Sequence, residues 1–202
     1  MSMQELTKRN LRAWSMLGQR GTVCGVALPE IMEEYQNSYT LTADLAHLSG
    51  LDRVQNMFPE RFVNVGIAEQ NMIGMAAGLA AEGNVVFATT YATFLTMRCY
   101  EQIRHHMGYQ HMNIKLIGSA AGVEMGMSGN THYTYVDIAI MRAIPNITVV
   151  SPADPAEAYQ IIHQAVTTEE PMYIRLTGGM NQQIITKCED GDIQIGKSKE
   201  LQ

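Results

Sequence analysis

The fold predicted for this chain is α/β, a mostly parallel six-stranded sheet with helices on both faces. Three observations carry that prediction. Short runs rich in Val and Ile recur along the chain, apolar helical stretches separate them, and Gly, Asn or Asp punctuates the junctions. At 202 residues and 46% hydrophobic composition, the chain can bury a core, and one domain is the natural expectation. In order, Leu6, Leu11, Trp14 and Leu17 form an approximate apolar stripe that Gly18 and Gly21 interrupt, and a second helix is predicted over 24–35. Strands are predicted at 39–45, 62–65, 85–89, 114–118, 147–150 and 172–176. Helices at 70–81, 94–106 and 136–142 lie between them. One further helix has a sharp start. Asp154 is a good N-cap, Pro155 suits the first helical position, and Glu157 completes a capping box. That helix turns Tyr159, Ile161, Ile162 and Val166 inward. After Gly178 and Gly179 the pattern weakens, and 181–202 is polar and strand-like at best.

The stretch FVNVGIAEQNMIGMAAGL, residues 62–79, places Glu69 at the head of an otherwise apolar, small-residue helix. A helix apolar all round is expected to be a core element, and its glycines and alanines permit close approach of another backbone. A carboxylate leading it inward must have a partner, because burying it unpaired costs several kcal/mol.

Composition narrows the function classes. The net charge of −6 and the scattered Lys and Arg provide no footprint for nucleic acid. No apolar run reaches membrane-spanning length, and the start MSMQELTKRN lacks a hydrophobic signal segment. Cys24, Cys99 and Cys188 follow no metal-ligand spacing and read as free thiols in a reducing cytoplasm. No ligand set for a metal is present in the pattern.

FVNVGIAEQNM, YATF, SGNTH, DIAIMRAIPNITVVSPADPAEA and YIRLTGG occur in the order and near the spacing found in transketolase-like enzymes. The chain resembles their pyrimidine-binding domain over about 39–179, and deoxyxylulose-phosphate synthases are related. The closest picture is the C-terminal subunit, or part of it, of a transketolase divided between two subunits. On this resemblance 1–38 is an N-terminal helical segment, 39–179 the pyrimidine-binding domain, and 180–202 a linker towards a last domain. The resemblance implies thiamine diphosphate as cofactor and two-carbon ketol transfer between a ketose and an aldose. Glu69 then hydrogen-bonds a ring nitrogen of the aminopyrimidine and favours its imino tautomer. Burial raises such a carboxyl and a helix N-terminus lowers it, which suits a shared proton. A Glu that merely caps backbone N–H groups is the competing reading.

Phe94 matches the aromatic that stacks on the aminopyrimidine, with Tyr91 beside it at a strand end and Tyr100 near another family aromatic. Core packing is the alternative for each. Asp44 and Leu45, in TADL, match a motif beside the thiazolium ring, and an Asp in a self-bonding turn is equally consistent. His132 matches a substrate-facing histidine able to accept and return a proton near neutral pH. His47 reads most simply as a surface residue, although beside TADL it could reach a substrate. His105, His106 and His111 read as surface residues.

Departures from the family bear on substrate. Ala120 stands where a sugar-binding His or a phosphate-binding Arg is expected, Ser128 where an Asp is, and Thr177 where a second phosphate-binding Arg is. Threonine does not replace bidentate recognition of phosphate, so a modified, branched or unphosphorylated ketose is the expected donor. The GDG motif that holds Mg²⁺ and the diphosphate is missing, and GDI at 191–193 lies too near the end to serve. A partner, the N-terminal diphosphate-binding subunit, is therefore expected to hold the Mg²⁺, in a heteromer that self-associates across a two-fold. Its contact surface is expected on the helices at 70–81 and 94–106. The alternatives are a deoxyxylulose-phosphate synthase-like or 2-oxoacid dehydrogenase-like component, or a non-catalytic paralogue that pairs with a partner.

Overall fold

The computed structural model describes residues 3–197; residues 1–2 and 198–202 of the predicted end segments lie outside that range. Its elements are α1 (Lys8–Thr22), α2 (Leu28–Glu34), β1 (Ser38–Thr42), α3 (Ala46–Ser49), α4 (Asp52–Met57), β2 (Phe62–Asn64) and α5 (Glu69–Ala81). There follow β3 (Val85–Tyr91), α6 (Tyr100–Ile103), β4 (Ile114–Ser119), α7 (Asp137–Arg142), β5 (Thr148–Val150), α8 (Pro155–Thr167) and β6 (Met172–Arg175). The six strands form one all-parallel sheet in the order β2-β1-β3-β4-β6-β5.

Alternation along the strands divides the core. Val85 and Phe87 of β3, Ile117 of β4, and Met172 and Ile174 of β6 face a cluster built with α1, α2, α4 and α8. Val86 and Ala88, Ile114 and Leu116, and Tyr173 face the other cluster, built with α5, α7 and the helical run after β3. Trp14 stacks on Tyr159 at 4.3 Å between ring centroids and joins α1 to α8. Nearby, burial pushes the Glu30 carboxyl up, but contacts from His163, Tyr159 and Gln4 outweigh it and hold it below its usual range.

Several boundaries differ from the sequence expectation. The first helical break falls at Gly18 (φ 70°, ψ 178°), and helix resumes at once rather than at 24. Closeness requires that glycine: a Cβ there would sit 2.0 Å from the Gly179 carbonyl oxygen. Gln19 and Gln182 complete the junction, Gln19 accepting from the Thr177 amide at 2.8 Å and Gln182 Oε1 from the Gln19 amide at 2.7 Å. Strand β1 stops at Thr42, and Asp44 adopts the left-handed region (φ 58°). Short α3 and α4 carry too few turns to show a periodic stripe.

The helix predicted at 94–106 is a π-helical turn at Phe94–Arg98, then α6, then a second π-helical stretch at Arg104–Tyr109. Around α8, Asp154 caps as expected, accepting from Ala156 and Glu157 at 2.8 Å. Glu157 reaches back one residue further, to the Ala153 amide. Among the described residues, the segment after 179 forms no strand. It folds back on the domain, Asp154 Oδ2 accepting from the Ile185 and Thr186 amides and the Thr186 hydroxyl, while Gln160 accepts from Ile193.

Helix α5 is not a core element on all sides. It buries Met72, Ile73, Ala76 and Ala77, whereas Gly74, Met75 and Gly78 are exposed. A Cβ on either glycine would meet nothing within 4 Å. One chain supplies helix packing on one side only.

At the opposite end of the sheet from the strand C-termini, Lys115 is fully buried in β4. Its ammonium donates to the Thr168 carbonyl at 2.6 Å and to the Glu170 carbonyl, closing the turn after α8. Burial drives its pKa from 10.5 down to about 7, and nearby Glu170 opposes the shift. Between about pH 7 and 10.5 the unfolded chain therefore holds a proton that the folded chain has released, so stability rises with pH across that window. Lys115→Met is expected to flatten this rise in denaturant unfolding measured from pH 7 to 10. Gly18→Ala, strained in φ and colliding with a carbonyl, is expected to cost about 1–3 kcal/mol in the same assay.

Candidate active site

In an open α/β sheet, the crevice for a ligand lies at the strand C-termini where strand order reverses. Here the chain runs from β1 outward to β2 and returns to the other side of β1 as β3. The residues leaving β1 and β3 flank that reversal, and they include Asp44, Leu45, Tyr91 and Phe94.

Glu69 reaches the same region from the third side. Strand β2 ends at Asn64, Gly66 turns with φ 72°, and Glu69 opens α5 with 4% of its surface exposed. Its Oε1 accepts from Arg98 Nη1 at 2.6 Å. The Arg98 guanidinium lies 4.3 Å from the centroid of the Phe94 ring. That ring is 5.2 Å from the imidazole of His132 and 5.8 Å from Tyr91, with Tyr91 and His132 6.0 Å apart. Glu69, Arg98, Phe94, Tyr91 and His132 thus form one continuous cluster, drawn from the C-terminal sides of β2, β3 and β4. The π-helical turn at Phe94–Arg98 presents Phe94 and Arg98 together; such turns recur at functional sites.

His132 lies on a loop pinched at its base by the antiparallel pair Gly122 and Thr134, with amide-to-carbonyl distances of 2.9 and 2.8 Å. Its Nδ1 is 3.0 Å from the Thr131 hydroxyl, which leaves Nε2 as the other ring nitrogen. Just past the loop, buried Asp137 accepts from Tyr173 at 2.8 Å and from Arg175 Nε at 2.7 Å. Burial, with the Asp137 charge added, pushes the Tyr173 hydroxyl well above its ordinary range, so it stays a donor.

The remaining predicted residues stand apart from this cluster. Asp44 is exposed at the β1 end, with Leu45 half-buried beside it. Tyr100, half-buried, packs against the core and donates its hydroxyl to the Ile140 carbonyl at 3.2 Å. His47 pairs with Asp52 at the surface, 3.1 Å away. Ala120, buried at the end of β4, has φ 52°, and the Thr177 amide is taken by Gln19.

Sequence reading does not single out Asn64, Arg98 or Glu124. Asn64 Oδ1 accepts from the amides of Asp44 at 3.0 Å and Gly66 at 3.1 Å, so one side chain sets both turns at the crevice. Its only sequence signal is an amide side chain at a strand end. Glu124 stands in the His132 loop, where burial raises its carboxyl against the lowering influence of Arg20. Its Oε2 finds no hydrogen-bond partner among the described residues.

The cluster suits a flat nitrogen heterocycle: a buried carboxylate for an N–H edge and an aromatic face for stacking. Among the described residues, no group of three or more His, Cys, Asp or Glu could hold a metal ion, and no helix is long and apolar enough to cross a membrane. A cavity of about 590 Å³ lies elsewhere, between β5, α8 and residues 185–197.

Comparison with known proteins adds an independent line. The family described as transketolase, pyrimidine binding domain, matches residues 19–182. A putative transketolase C-terminal section from Methanocaldococcus jannaschii is 40% identical over 177 residues, covering 88% of this chain and 56% of that protein. A 6-deoxy-6-sulfo-D-fructose transketolase subunit from a Clostridium species is 34% identical over 174 residues, 86% of this chain and 53% of that protein. The solved structure of a split gene transketolase, described as an inactive beta4 tetramer, superposes with a TM-score of 0.79 at 36% identity. It covers 90% of this chain and 57% of that one. The chain thus spans about half the length of these relatives.

Removing the Asn64 side chain leaves the Asp44 and Gly66 amides without their acceptor. Asn64→Ala is expected to cost about 1–3 kcal/mol and to speed hydrogen exchange at those two amides selectively, as measured by NMR.

Proposed function

The chain belongs to the transketolase pyrimidine-binding domain family, and from that premise we propose that it is the pyrimidine-binding subunit of a thiamine diphosphate-dependent, transketolase-type transferase. One observation carries the reading. A buried carboxylate at a helix start meets an aromatic face and an imidazole at the reversal point of a parallel sheet. When bound, thiamine diphosphate supplies a stabilised carbon nucleophile that accepts and releases a two-carbon unit.

Everything else falls to the chain's own residues. Glu69 Oε1 would hold a ring nitrogen of the aminopyrimidine by a hydrogen bond and favour the tautomer able to take a proton. Phe94 and Tyr91 would give the ring an aromatic wall, and Asp44 and Leu45 would lie towards the thiazolium side. His132 accepts and returns a substrate hydroxyl proton at Nε2, while Thr131 fixes Nδ1. Tyr100 serves at a distance, bracing the helical run that carries Phe94.

The diphosphate and Mg²⁺ are assigned to an N-terminal partner subunit, which docks against the exposed Gly74–Met75–Gly78 side of α5. The relative solved as an inactive beta4 tetramer and the relative described as a C-terminal section support that dependence. For the substrate, Ala120 and Thr177 stand where the family's phosphate-binding arginines are expected, and neither offers bidentate recognition of a phosphate. An unphosphorylated or otherwise modified ketose is the proposed donor.

The assembly reconstituted with its partner tests these roles. Glu69→Ala is expected to abolish ketol transfer, with a loss of 10³-fold or more, while gel filtration still shows the assembly. His132→Asn is expected to lower kcat by about 10²–10⁴-fold with cofactor binding retained. Efficient turnover of xylulose 5-phosphate with ribose 5-phosphate, at a kcat/KM matching unphosphorylated donors, would refute the proposed substrate class.

A further inference from the structure

Arg98 already makes both contacts that a bound aminopyrimidine would make. Its Nη1 donates to Glu69 Oε1 at 2.6 Å, and its guanidinium lies 4.3 Å from the centroid of Phe94. One contact is an edge-on hydrogen bond to a buried carboxylate and the other a face-on stack. A guanidinium and an aminopyrimidine share planarity, delocalised π density and N–H donors along one edge. They therefore compete for one oxygen and one ring face.

The two halves of Arg98 are held differently. Its backbone ends the π-helical turn, and its carbonyl accepts from Gln70 Nε2 at 2.9 Å. Its side chain is 46% exposed, so solvent is open to the guanidinium once it leaves.

Resting on the reading of Glu69 and Phe94 as the pyrimidine-binding pair, we propose that Arg98 is an internal competitor for their site. The chain docks its own guanidinium there, and thiamine diphosphate binds after that side chain has swung out. The docked state keeps a buried carboxylate paired before the cofactor arrives, which stabilises the cofactor-free chain. It also lowers apparent cofactor affinity in proportion to the fraction of chains in which the site is taken. Arg98 so acts through Glu69 and Phe94, as a gate on cofactor loading.

Thiamine diphosphate titrated into the assembly of this chain with its diphosphate-binding partner tests the gate, by calorimetry for affinity and stopped flow for association. Arg98→Met is expected to bind about five-fold more tightly or better and to associate faster. Arg98→Lys keeps the charge but cannot lie flat on Phe94, and is expected between the two. Cofactor-free Arg98→Met should melt below wild type, with the gap narrowing at saturating cofactor. Affinity that is unchanged or weaker in both variants, with wild type still binding, overturns the gate alone. Where Arg98→Met fails to fold, Arg98→Lys decides, tighter binding supporting the gate and unchanged or weaker binding refuting it. A wild-type assembly that takes up no thiamine diphosphate overturns the pyrimidine-binding reading and the gate with it.

Discussion

The pairing of Glu69 with Arg98 is the interaction on which the candidate site of this chain rests. A carboxylate with 4% of its surface exposed, heading a helix of Met, Ile, Gly and Ala, is unfavourable unless something compensates its charge. Two forces do so: the partial positive charge of the α5 N-terminus, and a guanidinium at 2.6 Å. The first is part of the fold and permanent. The second rests on a long, half-exposed side chain, and the proposed gate turns on exchanging it for another donor.

Sheet topology explains why such unlike residues meet. Three parallel neighbours, β2, β1 and β3, deliver their C-terminal loops to one rim, and the reversal of direction at β1 leaves a gap there. Glu69 follows β2, Asp44 follows β1, and Phe94 and Arg98 follow β3. The loop after β4 then brings His132 to the same rim, and just past that loop buried Asp137 accepts from Tyr173 and Arg175. The candidate cluster gathers at this end. Lys115 and the turn after α8 stitch the other end, so a change at the rim need not disturb that closure.

Much of this was legible in the residues. Apolar and β-branched runs announced the strands, because the central ones, β1, β3, β4 and β6, are almost entirely buried, although β1 (SYTLT) carries neither Val nor Ile. The Asp154-Pro155 pair announced α8 because capping chemistry is local. Glu69, Phe94 and His132 could be named from motif resemblance, and the fold brings them into one cluster. Other features depend on distance, not on neighbours in sequence. The turn at Gly18 follows from the Gly179 carbonyl, more than a hundred residues away, and no local pattern contains that contact. Arg98 looks like any surface arginine on a helix until a π-helical turn rotates it over Phe94. Tyr100, two residues further on, is turned towards Ile140 instead. Asn64 acts only because β1 and β2 lie side by side.

The exposed glycines of α5 have a consequence for mutational surveys. With empty surroundings, Gly74 and Gly78 would score as freely replaceable in any screen that reads solubility or melting of the solitary polypeptide, and alanine there would even register as an improvement, since it favours helix. In the proposed assembly the same methyl groups would stand between two subunits. Tolerance measured on one gene product would then misreport the constraint on the pair, and these glycines would be held by selection on a complex that such a screen never forms.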